Sequence, residues 1–379
     1  MTEETDILII GGGIAGCISA MFLCEKYSVC IIDKPDQQVG VWGESLVPSS
    51  KRIFKELGIY NQICALDTTI CTPSIGVKSY WGSENPVYSD ALRNPEGEGW
   101  SIDKPAFVRE LRKITNQYPV QWLEGRLHKL NEREDFWEVY VSGNEKRKIR
   151  AKFLIDASGR TNVLRKKLNL NRVKKDQQIC ISVTVKKTDD RMVSTILPEA
   201  SGWWYCSPLP DKDRILVSFY TDADLLDKAA TKDTAFILQK LQSNTLLQSQ
   251  LEIKGIIDPR FLGTRAAGTN RLENIGRKNW IAIGDAAMCF DPLSSQGMYN
   301  AMVMAAQTAK QICSIDFICD PEREKVTRFY TSFYESSENI WLHYLKHYNL
   351  FYAMEKRWEN EPYWERRQRK IPSYSREQV

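Results

Sequence analysis

Three glycines in "GGGIAG" and an acid about 17 residues beyond the last of them are the first groups in this chain arranged to do chemistry. Gly11, Gly13 and Gly16 follow the apolar run "TDILII" and open a helical pattern; Asp33 ends the next run, "SVCIID". In such a β-α-β unit Gly11 permits a tight turn, Gly13 lets a pyrophosphate approach free backbone N–H groups, and Gly16 lets helix and strand pack closely. Asp33 then accepts from a ribose hydroxyl. The pattern reads as a dinucleotide site and does not by itself separate NAD from a flavin dinucleotide.

A second constellation, "IGDAAMCFDPLSSQGMYNAM", makes that choice. An apolar strand delivers Asp285, a short loop carries Pro292 and Gly297, and a helix begins near Met298. A carboxylate so placed binds a ribityl hydroxyl, and unpaired N–H groups at a helix start stabilise negative charge on a reduced flavin ring. FAD is the expected cofactor. Asp156 and Gly159 in "LIDASGR" form another strand-end acid and turn, equally suited to capping a helix. His343 and His347 share a helix face at metal-site spacing but have no third ligand, so no metal is expected. In the tail, the basic run of Arg366, Arg367, Arg369 and Lys370 stands close behind Trp358, Tyr363 and Trp364. That composition suits a solvated amphipathic tail, a partner-docking surface or a lid over the substrate opening.

The 379 residues that must position these groups suggest two lobes and an appendage. Fifty-two basic against 48 acidic residues leave a charge of +4, which favours neither nucleic acid nor a membrane surface as partner. Ten cysteines without a C-x-x-C pair, and a start lacking signal-peptide features, lead us to expect reduced thiols in a cytoplasmic protein. No apolar run reaches the roughly 18 to 20 residues of a membrane span. Helical patterns run from Ile14 to Lys26, through "SSKRIFKELGI" and through "DKPAFVRELRKITNQ", with Pro105 in the first turn. Val120 to Ile155 reads as antiparallel strands, and residues 176 to 222 alternate as a second, inserted sheet. The expected fold is α/β: an FAD-binding Rossmann-like lobe of residues 1–75, 101–175 and 271–316, interleaved with an antiparallel substrate lobe of 76–100 and 176–270. Residues 317–379 form a C-terminal helical segment.

The motifs "GGGIAG", "GESLVPS", "DASGR" and "IGDAAMCFDPLSSQGM", in this order, resemble those of the group A flavin monooxygenases and flavin-dependent halogenases, with the fold of para-hydroxybenzoate hydroxylase. The resemblance spans most of the chain. It implies that FAD lies with its adenosine in the first lobe and its ring at the interface with the inserted sheet. Gly11, Gly13, Gly16, Asp33, Glu44, Ser45, Asp285, Pro292, Gly297 and Met298 would border it, with Lys104 where relatives often carry Arg.

Tryptophan halogenases carry W-x-W-x-I-P, a Glu within D-P-L-E-S-T-G, and a positioning Lys. Here Tyr205 replaces the second Trp, Ser207 replaces Ile, and Ser294 stands in place of the Glu, while Lys78 lies at roughly the Lys distance after "GES". With the tail "MEKRWENEPYWERRQ", the chain looks most like the flavoprotein hydroxylases encoded beside quinone-cofactor amine dehydrogenases and amino-acid oxidases. That likeness implies hydroxylation of an aromatic ring through a flavin C4a-hydroperoxide, the ring being a tryptophan side chain in a protein substrate, the precursor of such a quinoprotein. O2 is the co-substrate, and NAD(P)H or a separate flavin reductase supplies electrons. Glu44 and Lys78 are the candidate catalytic ionisable groups. Trp203 and Tyr205 are the candidate substrate-pocket residues, since alternation on a strand turns part of the Trp203–Tyr205 run away. Alternatives are a small-molecule aromatic hydroxylase or halogenase, a flavin reductase of the geranylgeranyl reductase kind, and a flavin-bearing binding protein or chaperone.

Overall fold

Ile7 to Ile10 are almost fully inaccessible, as are Cys30 to Ile32 and Phe153 to Ile155, and unbroken apolar runs of this kind form strands covered on both faces. The computed structural model describes residues 2–35, 43–90, 94–143, 145–186, 193–210, 213–227, 229–251 and 256–368. In it Thr2–Ile10 lies between Val29–Asp33 and Arg147–Asp156, parallel to both. Val120–Glu124 extends one side and Trp280–Ala282 the other, again in parallel. Register places Ile10 opposite Ile32 and Asp156, and Asp156 opposite Ala282. The carboxyl ends therefore align, and the loops carrying Gly11–Gly16, Asp33, Gly159 and Asp285 leave from one edge, the ligand-binding edge of an open parallel sheet.

One pairing differs from the sequence reading. Val120–Glu124 joins Val29–Asp33 in parallel rather than opening an antiparallel meander, because helix Lys104–Thr115 precedes it and such a crossover returns the chain in the same direction. Within the stretch from Val120 to Asp156 the antiparallel pairs are those of Trp137–Ser142 with Arg126–Glu132 and with Arg147–Asp156.

The second sheet runs Arg260–Ala266, Gln178–Lys186, Arg214–Asp222, Gly202–Pro208, Val193–Glu199, Gly76–Ser79, Val87–Asp90. Its pairs are antiparallel except Val193–Glu199 with Gly76–Ser79. One face packs Ile181, Val183, Trp204 and Phe219 around Ile237 and Leu241 of helix Thr234–Ser243. A small sheet of Gly43–Leu46, Gly99–Asp103 and Cys71–Ser74 stands between the two.

Helix Ile14–Leu23 is apolar nearly all round and packs against helix Gly297–Ile315. The 32-residue helix Arg323–Met354 buries Phe329, Phe333, Ser337, Trp341, Tyr344, Tyr348 and Tyr352, a stripe at three- and four-residue spacing. A short helix, Pro362–Gln368, follows. It corrects the reading of the tail as solvated: Tyr363 and Trp364 are fully inaccessible and Arg367 is 5% exposed. Their bulk is drawn inside by the aromatic cluster around them. Arg369 and Lys370 lie outside the described residues. All ten cysteines are free thiols. Among the described residues no helix is long and apolar enough to cross a membrane.

Candidate active site

A cavity of about 790 Å³ opens where the carboxyl edge of the parallel sheet meets the substrate sheet. Gly13, Glu44, Lys104 and Arg160 line it from the first lobe, and Asp285, Pro292, Gly297 and Met298 from the loop region that closes the cavity. Trp203, Tyr205, Tyr220 and Arg265 face it from the substrate sheet.

The glycines divide by what surrounds them. A β-carbon on Gly11 would sit 2.6 Å from the Ala157 carbonyl oxygen, at a φ of +107°, and one on Gly16 would strike the Gly11 carbonyl. These two serve the fold. A β-carbon on Gly13 or Gly297 meets nothing within 4 Å, so both glycines keep space open beside the cavity. Gly13 begins helix Ile14–Leu23 without side-chain capping, and Gln296 begins helix Gly297–Ile315 likewise. In the second helix the Asn300 N–H is the one that reaches the Gln296 carbonyl, leaving the preceding N–H groups for a partner outside the helix. Two uncapped helix starts facing one cavity, each next to an open glycine, fit the pyrophosphate and the ring of FAD.

Around that space the charges are paired. Lys104 Nζ lies 2.8 Å from Glu44 Oε1, and Arg160 Nε lies 3.4 Å from Asp285 Oδ2. Arg160 also donates to the carbonyls of Gly268 and Phe290, each at 3.1 Å, which ties the "DASGR" turn to the second constellation. Ser45 Oγ and Tyr205 Oη are 2.7 Å apart, joining the two lobes across the cavity wall. Trp203 stacks on Tyr220 with ring centroids 4.0 Å apart and planes 9° from parallel. Trp204 points the other way, into the second core, and donates to Glu199 at 2.6 Å.

Three acids behave differently from one another. Asp33 stands outside the lining, paired with Arg112, whose Nε also donates to the Gly12 carbonyl at 2.8 Å. Asp156 is buried, and burial pushes its carboxyl up; it accepts the N–H groups of Ser158 and Leu164, the latter in the first turn of helix Val163–Leu168, whose N-cap is Asn162. Asp291 lines the cavity and is 2% exposed, with its carboxyl pushed up to about 6 by burial and then by the charge of Asp176.

Lys78 is a correction. It does not line the cavity: it sits on strand Gly76–Ser79, its ammonium over the rings of Tyr80 and Tyr88, because register aligns it with Thr195 and Cys206, one residue off the row of Ser79, Ile196 and Tyr205 that reaches the cavity. His343 and His347 have rings 4.4 Å apart on the exposed face of the long helix, and no group of three metal-ligating side chains occurs among the described residues. Sequence reasoning missed Arg112, Arg160, Tyr220 and Arg265. Arg160 alone had a signal, as the last residue of "DASGR".

The family model described as tryptophan halogenase matches residues 6–91 and 97–379. A putative FAD-dependent oxidoreductase, LodB, of Marinomonas mediterranea is 24% identical over 375 residues, covering 96% of this chain and 97% of that protein. A tryptophan 2-halogenase of Chondromyces crocatus is 24% identical over 356 residues, covering 90% of this chain and 67% of that protein. Among solved structures, the peptidyl tryptophan dihydroxylase QhpG, essential for tryptophylquinone cofactor biogenesis, superposes with a TM-score of 0.78 at 20% identity over 99% of this chain and 81% of its own. The flavin-dependent halogenase CmlS gives 0.79 at 21% identity over 98% and 69%. These superpositions share one fold, and the cavity described above has the open glycines and helix starts that its cofactor requires. The chain belongs to the tryptophan halogenase family, within the flavin-dependent halogenase and hydroxylase superfamily, and is an FAD-dependent oxidoreductase.

Proposed function

We propose that this protein is a monooxygenase that hydroxylates an aromatic ring, the ring being a tryptophan side chain of a protein that matures into a tryptophylquinone enzyme. The observation that carries the reading is the composition of the cavity wall facing the closing loop. Tyr205, and Tyr220 backed by the buried Trp203, give the substrate side an aromatic lining, while Lys78 lies elsewhere and Ser294 stands where halogenases carry Glu. An oxygen-transfer site needs an aromatic slot and dryness, and needs no lysine to position a halogenating species. The name of QhpG, whose substrate is a peptidyl tryptophan, supports the choice of ring.

FAD, when bound, supplies the oxygen-activating chemistry. The protein's part is binding and placement. Gly13 and the start of helix Ile14–Leu23 would hold the pyrophosphate, Asp285 would hold the ribityl chain, and the start of helix Gly297–Ile315 would face the ring. The Trp203–Tyr220 stack forms a rigid wall against which an incoming indole packs. Glu44, paired with Lys104, is a carboxylate on the first-lobe side of the cavity. An indole is already electron-rich, so placement contributes more than base catalysis.

The test is mass spectrometry of a quinoprotein precursor co-expressed with this protein in the presence of chloride and bromide. Oxygen added at one tryptophan, and only with the active protein present, is expected. A halogen isotope pattern would replace hydroxylation by halogenation, and an unchanged precursor would overturn the protein-substrate reading.

A further inference from the structure

Asp291 is held from parts of the chain remote in sequence. Its Oδ1 accepts the N–H of Leu293 at 2.8 Å; its Oδ2 accepts the hydroxyl of Tyr352 at 2.7 Å and an amide N–H of Gln178 at 3.0 Å. Its own N–H donates to Tyr344 Oη at 2.9 Å. Tyr344 and Tyr352 come from the long C-terminal helix, whereas Gln178 begins a strand of the substrate sheet.

The network continues into the last helix. Gln178 Oε1 accepts from Tyr363 at 2.6 Å and from Arg367 at 3.2 Å. Arg367 pairs with Asp222 at 2.7 and 2.9 Å, both side chains nearly inaccessible, and its guanidinium lies 3.7 Å over the Tyr363 ring. Asp222 ends the strand that carries Ser218 and Tyr220 into the cavity. Trp364 donates to the Glu199 carbonyl at 2.9 Å and lies 5.2 Å from Trp81, which lies 6.1 Å from Trp203. One helix of seven residues thus touches both the closing loop's anchor and the wall opposite it.

We propose that Tyr352 and Arg367 are positioning residues of the flavin site: through Asp291 and Gln178 they fix the loop from Asp291 to Gly297 against the substrate sheet, so that FAD binding and the packing of helix Pro362–Gln368 are coupled. The inference rests on FAD occupying the cavity and on nothing about the substrate, so a failed hydroxylation assay leaves it standing. The coupling is reciprocal by linkage. A residue that tightens FAD binding by ordering the loop must itself be held more firmly once FAD is bound.

Two measurements on the full chain test it. Tyr352→Phe removes one hydroxyl and keeps the ring in its cluster, and FAD titration of the apoprotein should show affinity lower by about 5- to 150-fold. Hydrogen exchange of Pro362–Gln368 should slow on adding FAD to the wild type, and slow less in Tyr352→Phe. Arg367→Leu should act in the same direction, with Arg367→Lys restoring part of the affinity because it keeps a charge opposite Asp222. If Arg367→Leu does not fold, Tyr352→Phe carries the test. Wild-type FAD affinity in Tyr352→Phe, with only the unfolding midpoint lowered, would reduce the network to packing and overturn the proposal. So would exchange in the last helix that is indifferent to FAD.

Discussion

Replacing Gly13 by Asp separates the cofactor's requirement from the fold's. Gly13 sits at φ −81° and ψ −168°, a conformation open to any residue, and a β-carbon there meets nothing within 4 Å. It is also the N-cap of helix Ile14–Leu23, where Asp and Gly differ in stability by only a few tenths of a kcal/mol. The apoprotein should therefore unfold at nearly the wild-type denaturant concentration. With FAD the situation reverses. A carboxylate about 4 Å from a phosphate charge costs about 4 kcal/mol at an effective dielectric near 20, which is about a 1,000-fold loss of affinity. The new side chain also competes for the helix N–H groups that would meet the pyrophosphate. Urea denaturation of the apoprotein and calorimetric titration with FAD measure the two halves separately. Gly11→Ala is the control of opposite character. At φ +107° and 2.6 Å from the Ala157 carbonyl it should cost about 1–3 kcal/mol of apoprotein stability. If Gly13→Asp bound FAD within tenfold of wild type, or its apoprotein failed to fold, the placement of the pyrophosphate at this helix start would be wrong.

Asp291 gives a pH signature. Folding raises its carboxyl from 3.8 to about 6, so the protonated form is favoured in the folded state; its contribution to stability is full below about pH 4 and lost as pH rises through 6. Wild-type apoprotein should thus lose up to about 3 kcal/mol more than Asp291→Asn between pH 4 and pH 7 in urea unfolding, and parallel profiles would refute the assignment. Lys104→Met breaks a pair whose side chains are 38% and 30% exposed, so apoprotein stability should change by less than about 1 kcal/mol. FAD affinity, measured by titration, should fall by about tenfold or more if Lys104 meets the cofactor as its place in the cavity lining suggests. Lys78→Met should leave the rate of oxygenated product formation, followed by mass spectrometry, at the wild-type level.

The elements that carry the site were legible because their signals are local. Gly11, Gly13 and Gly16 announce a turn and a helix start within six residues, and the alternation in "GWWYCSP" sends Trp203 and Tyr205 to one face and Trp204 to the other. What stayed hidden depends on partners far apart in the chain. Arg112 is an unremarkable helix residue until the crossover that makes Val120–Glu124 parallel lays its helix beside Gly12 and Asp33. Tyr363, Trp364 and Arg367 read as a basic aromatic tail because composition cannot reveal that Gln178, Glu199 and Asp222 await them, up to 189 residues away. Lys78 shows the converse: its distance along the sequence after "GES" says nothing about the row it occupies in the sheet, and register with Thr195 and Cys206 keeps it out of the cavity lining.

Asp291 shows how the two kinds of information meet. In the proposed site its motif marks the loop that would lie beside the flavin, and the loop's glycine and helix start are sufficient to explain why. Yet a carboxylate taken out of water is costly unless its lone pairs are met, and a local N–H such as that of Leu293 meets only one of them. The rest is supplied by Tyr352 and Gln178, and Gln178 is itself oriented by Tyr363 and Arg367. A buried acid in a cofactor loop therefore obliges the fold to send polar partners to it from elsewhere, and here the C-terminal helices meet that obligation. The same helices bring Trp364 against Trp81 and so brace the wall that holds Trp203. Changes in the tail should consequently reach the flavin and the substrate wall together, whereas changes confined to the glycine turn should reach the flavin alone.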